Sequence, residues 1–131
     1  MKFVKKAIAI FLLLTLALCA ATSAEAAINP PAGSYTWNGD VGYGDVQVGS
    51  RTKTDPDAVT YLAFDGAPES VKVWLTTRNT AGTVTSVKNL LNLGQEKHVS
   101  TGAVYGQTIR IYASREHWGD QVYALRGKWK P

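Results

Sequence analysis

Arg115, Glu116, His117, Trp118, Gly119 and Asp120 place a base, two carboxylates and an aromatic ring within six consecutive residues. Such a set is raw material for general acid–base chemistry. A wall hydrolase could use Glu116 or Asp120 to protonate a leaving group, and an imidazole such as His117 can take a proton from a nucleophile. His117 would then also need a nucleophile and an orienting acid, which a fold brings together and sequence neighbours do not. The same residues suit a hairpin loop between two neighbouring strands. Gly119 supplies a backbone angle that other residues resist, Asp120 favours turns, and exposed loops carry charge freely. The loop reading is preferred and no catalytic residue is assigned. His117 and Trp118 remain candidate binding residues because recognition concentrates at loop tips.

Other reactive sets are thin. His98, the second of two histidines, lies on a short polar stretch beside Lys97 and reads as an exposed strand residue. Asp40, Asp45, Asp55, Asp57 and Asp65 stand near turns without the spacing of a calcium loop, so turn chemistry is expected and no metal site. No Gly-x-Ser-x-Gly elbow, Walker loop or dinucleotide fingerprint is present, and no cofactor is expected.

The elements that would position these residues are strands. Beyond the first 26 residues the pattern is period-2 alternation rich in Val, Thr, Tyr and Trp, broken by Gly, Pro, Asn and Asp. Asn38-Gly39 reads as a hairpin turn between Tyr35-Thr36-Trp37 and a strand from Val41. Val46, Val48 and Ser50 alternate on a half-exposed strand, Ala58 to Phe64 reads as a central strand, and Asp65 to Ser70 as a loop. Val71, Val73 and Leu75 share one strand face, with Lys72, Trp74 and Thr76 on the other. Asn79 to Gly82 makes a hairpin loop into Thr83 to Val87. The stretch from Val87 to Ser100 admits either a strand broken at Gly94 or a helical turn around Leu90 and Leu91. Thr108 to Ala113 sets Ile109, Ile111 and Ala113 against Arg110 and Tyr112, and Gln121 to Trp129 is expected to pair with it as the last strand. Seven or eight such strands predict an all-β chain: a single antiparallel β-sandwich, with a small β-barrel as the alternative.

Aromatic rings are numerous for so small a domain. Tyr123, Leu125 and Trp129 have the spacing of an inward face. Trp74 instead shares a face with Lys72 and Thr76, and Tyr112 shares one with Arg110. If those faces are exposed and adjacent, Trp74 and Tyr112 form a platform that can stack on a sugar or pack on a partner, with Trp118 as a further contact. The competing expectation is that both rings merely cover a second layer.

Residues 1–26 have the form of a signal peptide. Lys2, Lys5 and Lys6 precede an apolar run from Ile8 to Ala21, and Ala24-Glu25-Ala26 supplies the small-x-small cleavage pattern. The run is too short for a bilayer anchor and no other follows, so no membrane span is expected. Leu18 stands where a lipoprotein signal would need a small residue before Cys19, so cleavage after Ala26 is preferred over lipidation. Cleavage there removes the chain's single cysteine, and with it any disulfide or thiolate chemistry. The domain is then residues 27–131, and the protein is expected to be secreted and extracellular. The fourteen Lys and Arg against ten Asp and Glu give +4. Losing three lysines and Glu25 leaves eleven against nine, or +2. Without a dense basic run, nucleic acid is not an expected partner, while weak attraction to anionic surfaces is compatible with the charge.

The "VWL" strand at Val73 to Leu75, the loop at Asn79 to Gly82 leading to "VTSV", "TIRIYAS" at Thr108 to Ser114, and Tyr123, Gly127 and Trp129 together resemble a family of small secreted Bacillus proteins of uncharacterised function. Lys128, Lys130 and Pro131 stand where that family has an acidic finish. "TWNGDVGYG" at Thr36 to Gly44 and "GSRTKT" at Gly49 to Thr54 are similar to lactococcin-type bacteriocins, which are secreted, cysteine-free β-sandwiches. Neither resemblance implies catalytic residues. The expectation is a secreted, non-enzymatic sandwich that acts by binding a cell-surface polymer or a protein, bacteriocin-like or at the producer's own surface. A carbohydrate- or cell-wall-binding module is the alternative, and a wall hydrolase the third.

Overall fold

The computed structural model describes residues 24, 25, 27–119 and 121–131. Residues 1–23, residue 26 and Asp120 lie outside the described residues, and with them most of the segment expected to be a signal peptide. All regular structure among the described residues is strand: β1 (Ala24–Glu25), β2 (Tyr35–Val41), β3 (Val46–Thr52), β4 (Val59–Ala67), β5 (Lys72–Asn79), β6 (Val84–Asn92), β7 (Glu96–Ser100), β8 (Thr108–Arg115) and β9 (Tyr123–Lys130). The first sheet runs β2-β9-β4-β7, with β1 on the same edge of β4 as β7, and the second runs β3-β8-β5-β6. Every pairing is antiparallel, and none joins one sheet to the other. The fold is an all-β sandwich and not a closed barrel.

From β2 onward the chain alternates between sheets at each step except the β5–β6 hairpin, which gives the double Greek key of a jelly roll. Period-2 alternation turns one side of each strand inward. In the first sheet that side carries Trp37, Leu62, Phe64, Leu125 and Trp129, and in the second Val73, Leu75, Ile109 and Ile111, all 0–1 % exposed. The two inner faces make one core. The reading of Val73 and Leu75 as inward, of Ile109, Ile111 and Ala113 opposite Arg110 and Tyr112, and of the Asn79–Gly82 hairpin matches the structure. In that hairpin Asn79 N–H donates to the Thr83 carbonyl at 2.9 Å.

Three readings are corrected. Asn38 and Gly39 do not turn the chain; they lie inside β2, opposite Arg126 and Leu125 of β9. Gly39 is there for space, since a Cβ would stand 2.8 Å from a Val48 methyl carbon on the facing sheet. Asp65 does not end the central strand, which continues to Ala67 through an irregularity between Phe64 and Gly66. Most consequentially, the last strand does not pair with β8. It crosses to the other sheet and lies between β2 and β4, so residues 116–122 form a connection between sheets and not a hairpin. Between the two alternatives for Val87 to Ser100, the structure takes the broken strand, with Gly94 at φ 89.

Two buried polar groups tie the architecture. The Trp37 indole lies over Gly127 and donates to the Ala63 carbonyl at 2.9 Å, which satisfies both groups in the dry core. Lys53 is 1 % exposed. Its ammonium donates to Asp55 Oδ1 at 2.9 Å and to the Pro131 carbonyl at 3.0 Å, pinning the chain after β9 to the chain after β3.

Candidate functional site

The outer face of the second sheet is built by the non-core half of the alternation. On β5 this half is Lys72, Trp74, Thr76 and Arg78, and on β8 it is Arg110, Tyr112 and Ser114. The β5–β8 register sets Trp74 opposite Ser114, Thr76 opposite Tyr112, and Arg78 opposite Arg110. Trp74 and Tyr112 are therefore diagonal neighbours on one face, within reach of each other's large side chains. Both are partly exposed. The two rings are adjacent on one half-buried face, with their cross-strand partners Thr76 and Ser114 each 3 % exposed.

The face is more cationic than the sequence reading foresaw. The Arg78 guanidinium lies 4.7 Å from the centroid of the Tyr112 ring, and its Nη2 donates to Asp45 Oδ2 at 2.9 Å. Lys88 reaches the other oxygen of Asp45, also at 2.9 Å. Partial burial pushes the Asp45 carboxyl up, but Lys88, Ser114 and Arg78 outweigh it and hold the group below the usual carboxylate range. Tyr112 is thus a ring that already carries a guanidinium, and Trp74 is the barer surface. Arg110 stands directly across from Arg78, a like-charge pairing that costs stability unless an anion relieves it. Among the described residues the Arg110 side chain makes no hydrogen bond or ion pair. Lys72-x-Trp74-x-Thr76-x-Arg78 was readable as one stripe. The cross-strand meeting of Arg78 with Arg110 and Tyr112 was not, because it depends on register.

His117 and Trp118 sit elsewhere, on the β8–β9 connection at one end of the sandwich. Trp118 is 81 % exposed. His117 Nε2 lies 3.5 Å from Glu116 Oε2, with the imidazole open to solvent. Among the described residues no hydroxyl nucleophile or second carboxylate is hydrogen-bonded to this pair, so the described geometry assembles the acid and the base but not the rest of a catalytic set. The connection is held to the β2–β3 loop by the Arg115 N–H, which donates to the Gly42 carbonyl at 2.8 Å. Tyr43 and Val122, on these same two segments, are 53 % and 59 % exposed.

His98 lies on the outer face of β7, its ring centroid 5.2 Å from that of Tyr61. The Tyr61 hydroxyl donates to Glu96 Oε1 at 2.6 Å, and burial together with Glu96 pushes that phenol well up. The Asn29 N–H donates to the same oxygen, so the group fastens the segment before β2 across the first sheet. Among the described residues no three His, Cys, Asp or Glu side chains converge as a metal site would require. A depression of about 380 Å³ opens at the end of the second sheet, between the start of β5, the end of β6 and residues 115–117.

No family model, curated protein or solved structure matches the chain.

Proposed function

We propose that this protein is a secreted, non-enzymatic binding domain that acts at a cell surface and contacts a wall glycan through the outer face of its second sheet. One observation carries the reading: Trp74 and Tyr112, on neighbouring strands, share a partly exposed face that no further strand layer among the described residues covers. An aromatic ring beside guanidinium groups suits a sugar ring, whose C–H face stacks on the ring while its hydroxyls and any anionic substituents meet the cations. The formal charge of the chain agrees with an anionic polymer as target.

The test is co-sedimentation with purified peptidoglycan, together with intrinsic tryptophan fluorescence titrated with solubilised wall fragments. Saturable binding is expected, and Trp74→Ala should weaken it at least about fivefold, as loss of an aromatic stacking contact of ~1 kcal/mol implies. Unchanged binding in Trp74→Ala sinks the platform.

A second reading has its own support in Trp118, Tyr43 and Val122, three strongly exposed apolar side chains on two loops tied to each other. Such a cluster fits a protein partner, including one met in competition between bacteria, as a bacteriocin-like protein would be. Inhibition of a related strain that is lost in Trp118→Ala, with wall binding absent, would favour it.

A further inference from the structure

We propose that the row Ser50, Arg110 and Arg78, which crosses the outer face of the second sheet, binds the phosphate groups of an anionic wall polymer. This rests on the wall reading above and deepens it, naming the charged group of the ligand and the residues that take it. Register brings the three side chains together: Arg110 of β8 stands directly opposite Ser50 of β3 on one side and Arg78 of β5 on the other. Directly opposed residues of antiparallel strands point to one face, with Cβ atoms about 4.5–5.5 Å apart. The Arg78 guanidinium lies over Tyr112, the next outward residue after Arg110 on β8, so both cationic heads belong to one patch. Ser50, Arg78 and Arg110 are all partly exposed.

A full count leaves this patch positive. β3, β5, β6 and β8 contain no aspartate or glutamate. Nor do residues 79–83 and 101–107, the connections at this end of the sheet. The acid that reaches the face is Asp45, whose two oxygens are taken by Arg78 and Lys88. Glu69 and Glu116 lie at the opposite end, where β5 begins and β8 ends, the first on the Tyr123 hydroxyl and the second beside His117. Asp55 and Asp57 belong to the connection that leaves for the first sheet, where Lys53 and Lys130 balance them. Arg51, the neighbour of Ser50, turns over the Tyr35 ring at the sheet edge. Arg78, Lys88 and Arg110 against Asp45 therefore leave two positive charges in excess. The Arg110 side chain has no acceptor among the described residues, and Arg78 Nε is buried without one.

The shape of the row selects the anion. Two guanidinium groups and a hydroxyl offer donors from three directions. A carboxylate is planar, singly charged and satisfied by one guanidinium fork, whereas a tetrahedral phosphate has oxygens for all three donors and carries up to two negative charges. The ligand is a chain because the row and the barest ring are well separated. Trp74 and Arg78 stand four residues apart on β5, a span of ~13 Å. One sugar unit is shorter than that, so stacking on Trp74 while a phosphate meets Arg110 takes several units.

The probe is sodium glycerol 1-phosphate, titrated into the purified protein while backbone amide shifts are followed by NMR, with sodium acetate and glycerol as parallel arms at matched ionic strength. Saturable shifts centred on Ser50, Arg78 and Arg110 are expected, with acetate weaker and glycerol silent. Arg110→Gln should weaken the phosphate about tenfold, the value of one charge-assisted hydrogen bond. It should not lower the melting point, because this side chain has no partner to lose. Lys128→Gln removes the same charge from the first sheet and should change binding less than twofold. Co-sedimentation is then compared on walls before and after aqueous hydrofluoric acid has stripped their phosphodiester-linked polymers, and the stripped walls should bind at least about tenfold more weakly. Acetate binding as tightly as glycerol 1-phosphate, shifts centred elsewhere, or equal weakening by Lys128→Gln and Arg110→Gln overturns the row as a phosphate site. Wall binding abolished by inorganic phosphate at equal phosphorus concentration, or single-stranded DNA binding more tightly than the walls, overturns the wall polymer as its source. Undiminished binding to stripped walls that still depends on Trp74 refutes the phosphate proposal and leaves the glycan platform. Phosphate shifts that depend on Arg110, with wall binding indifferent to Trp74, refute the platform and leave the row.

Discussion

Replacing Gly127 by alanine tests the centre of the sandwich, because one added carbon has nowhere to go. A Cβ at this position would stand 2.5 Å from Trp37 Nε1 and 2.7 Å from its Cε2, and would overlap the Ala63 carbonyl oxygen outright. Relief requires either that the indole move or that β9 part from β4 where Gly127 faces Phe64. The indole is fully buried, and its N–H is held by the oxygen that the new methyl would strike. Overpacking of this kind costs about 1–3 kcal/mol. Loss of the indole hydrogen bond adds about 1 kcal/mol, and the lower chain entropy of alanine in the unfolded state returns ~0.4–1 kcal/mol. The net loss is about 2–3 kcal/mol. In a domain of this size each kcal/mol moves Tm by ~4–8 °C, so the melting point should fall by about 10–20 °C. Near-UV circular dichroism follows the melt and also reports the indole's asymmetric surroundings. Gly44→Ala is the control: no atom lies within 4 Å of its added carbon and its φ is not positive, so a change within about 0.5 kcal/mol is expected. If Gly127→Ala melts with Gly44→Ala, the indole does not lie across this glycine and the account of the first sheet is wrong.

Two further outcomes follow from burial and charge. Trp37 and Trp129 are fully buried and Trp74 partly exposed, so most iodide-quenchable fluorescence belongs to Trp118 and should disappear in Trp118→Phe; retained quenching would mean the β8–β9 connection folds inward. Lys53→Met should lower stability by about 2 kcal/mol at neutral pH, because Asp55 and the Pro131 carbonyl lose their common donor. The Lys53 hydrogen bond is the largest influence on the Asp55 carboxyl and holds it below its ordinary value. The unfolded chain therefore takes up that proton first as pH falls. The stabilisation is present above about pH 4 and is lost as pH drops through the lower folded value. Urea titrations at neutral and acid pH should show this acid-side loss shrinking in Asp55→Asn, and an unchanged slope would refute the assignment.

The strands were legible wherever one face had to be apolar. Val73 and Leu75 against Lys72 and Trp74, or Ile109 and Ile111 against Arg110 and Tyr112, leave a single way to lie on a core. Pairing was less legible, because period 2 tells which way a side chain points and not which strand lies beside it. Hence β9 could be read as a strand with Leu125 and Trp129 inward and still be given the wrong neighbour. Asn38-Gly39 misled for a related reason. The dipeptide is a strong local turn signal, yet Gly39 is required by Val48 of the opposite sheet, a contact with no trace in local sequence. At the site, Trp74 and Tyr112 were found from alternation, whereas Arg78 over Tyr112 needed register. His117 and Trp118 drew notice through their chemistry, but their place at the end of the sandwich follows from the sheet crossing.

That crossing also bears on how the chain comes to be folded. β9 is the last strand in chain order, yet it lies between β2 and β4, so the first sheet lacks an inner strand until residues 123–130 are available. Until then β2 has no partner in its sheet, Trp37 has no Gly127 to lie across, and Lys53 has no Pro131 carbonyl to hold. The domain cannot be completed piecemeal from its N-terminus during synthesis, and the long-range closure it awaits is of the slow kind. For a chain proposed here to leave the cell, late closure keeps it threadable, with its core assembled only on the far side of the membrane.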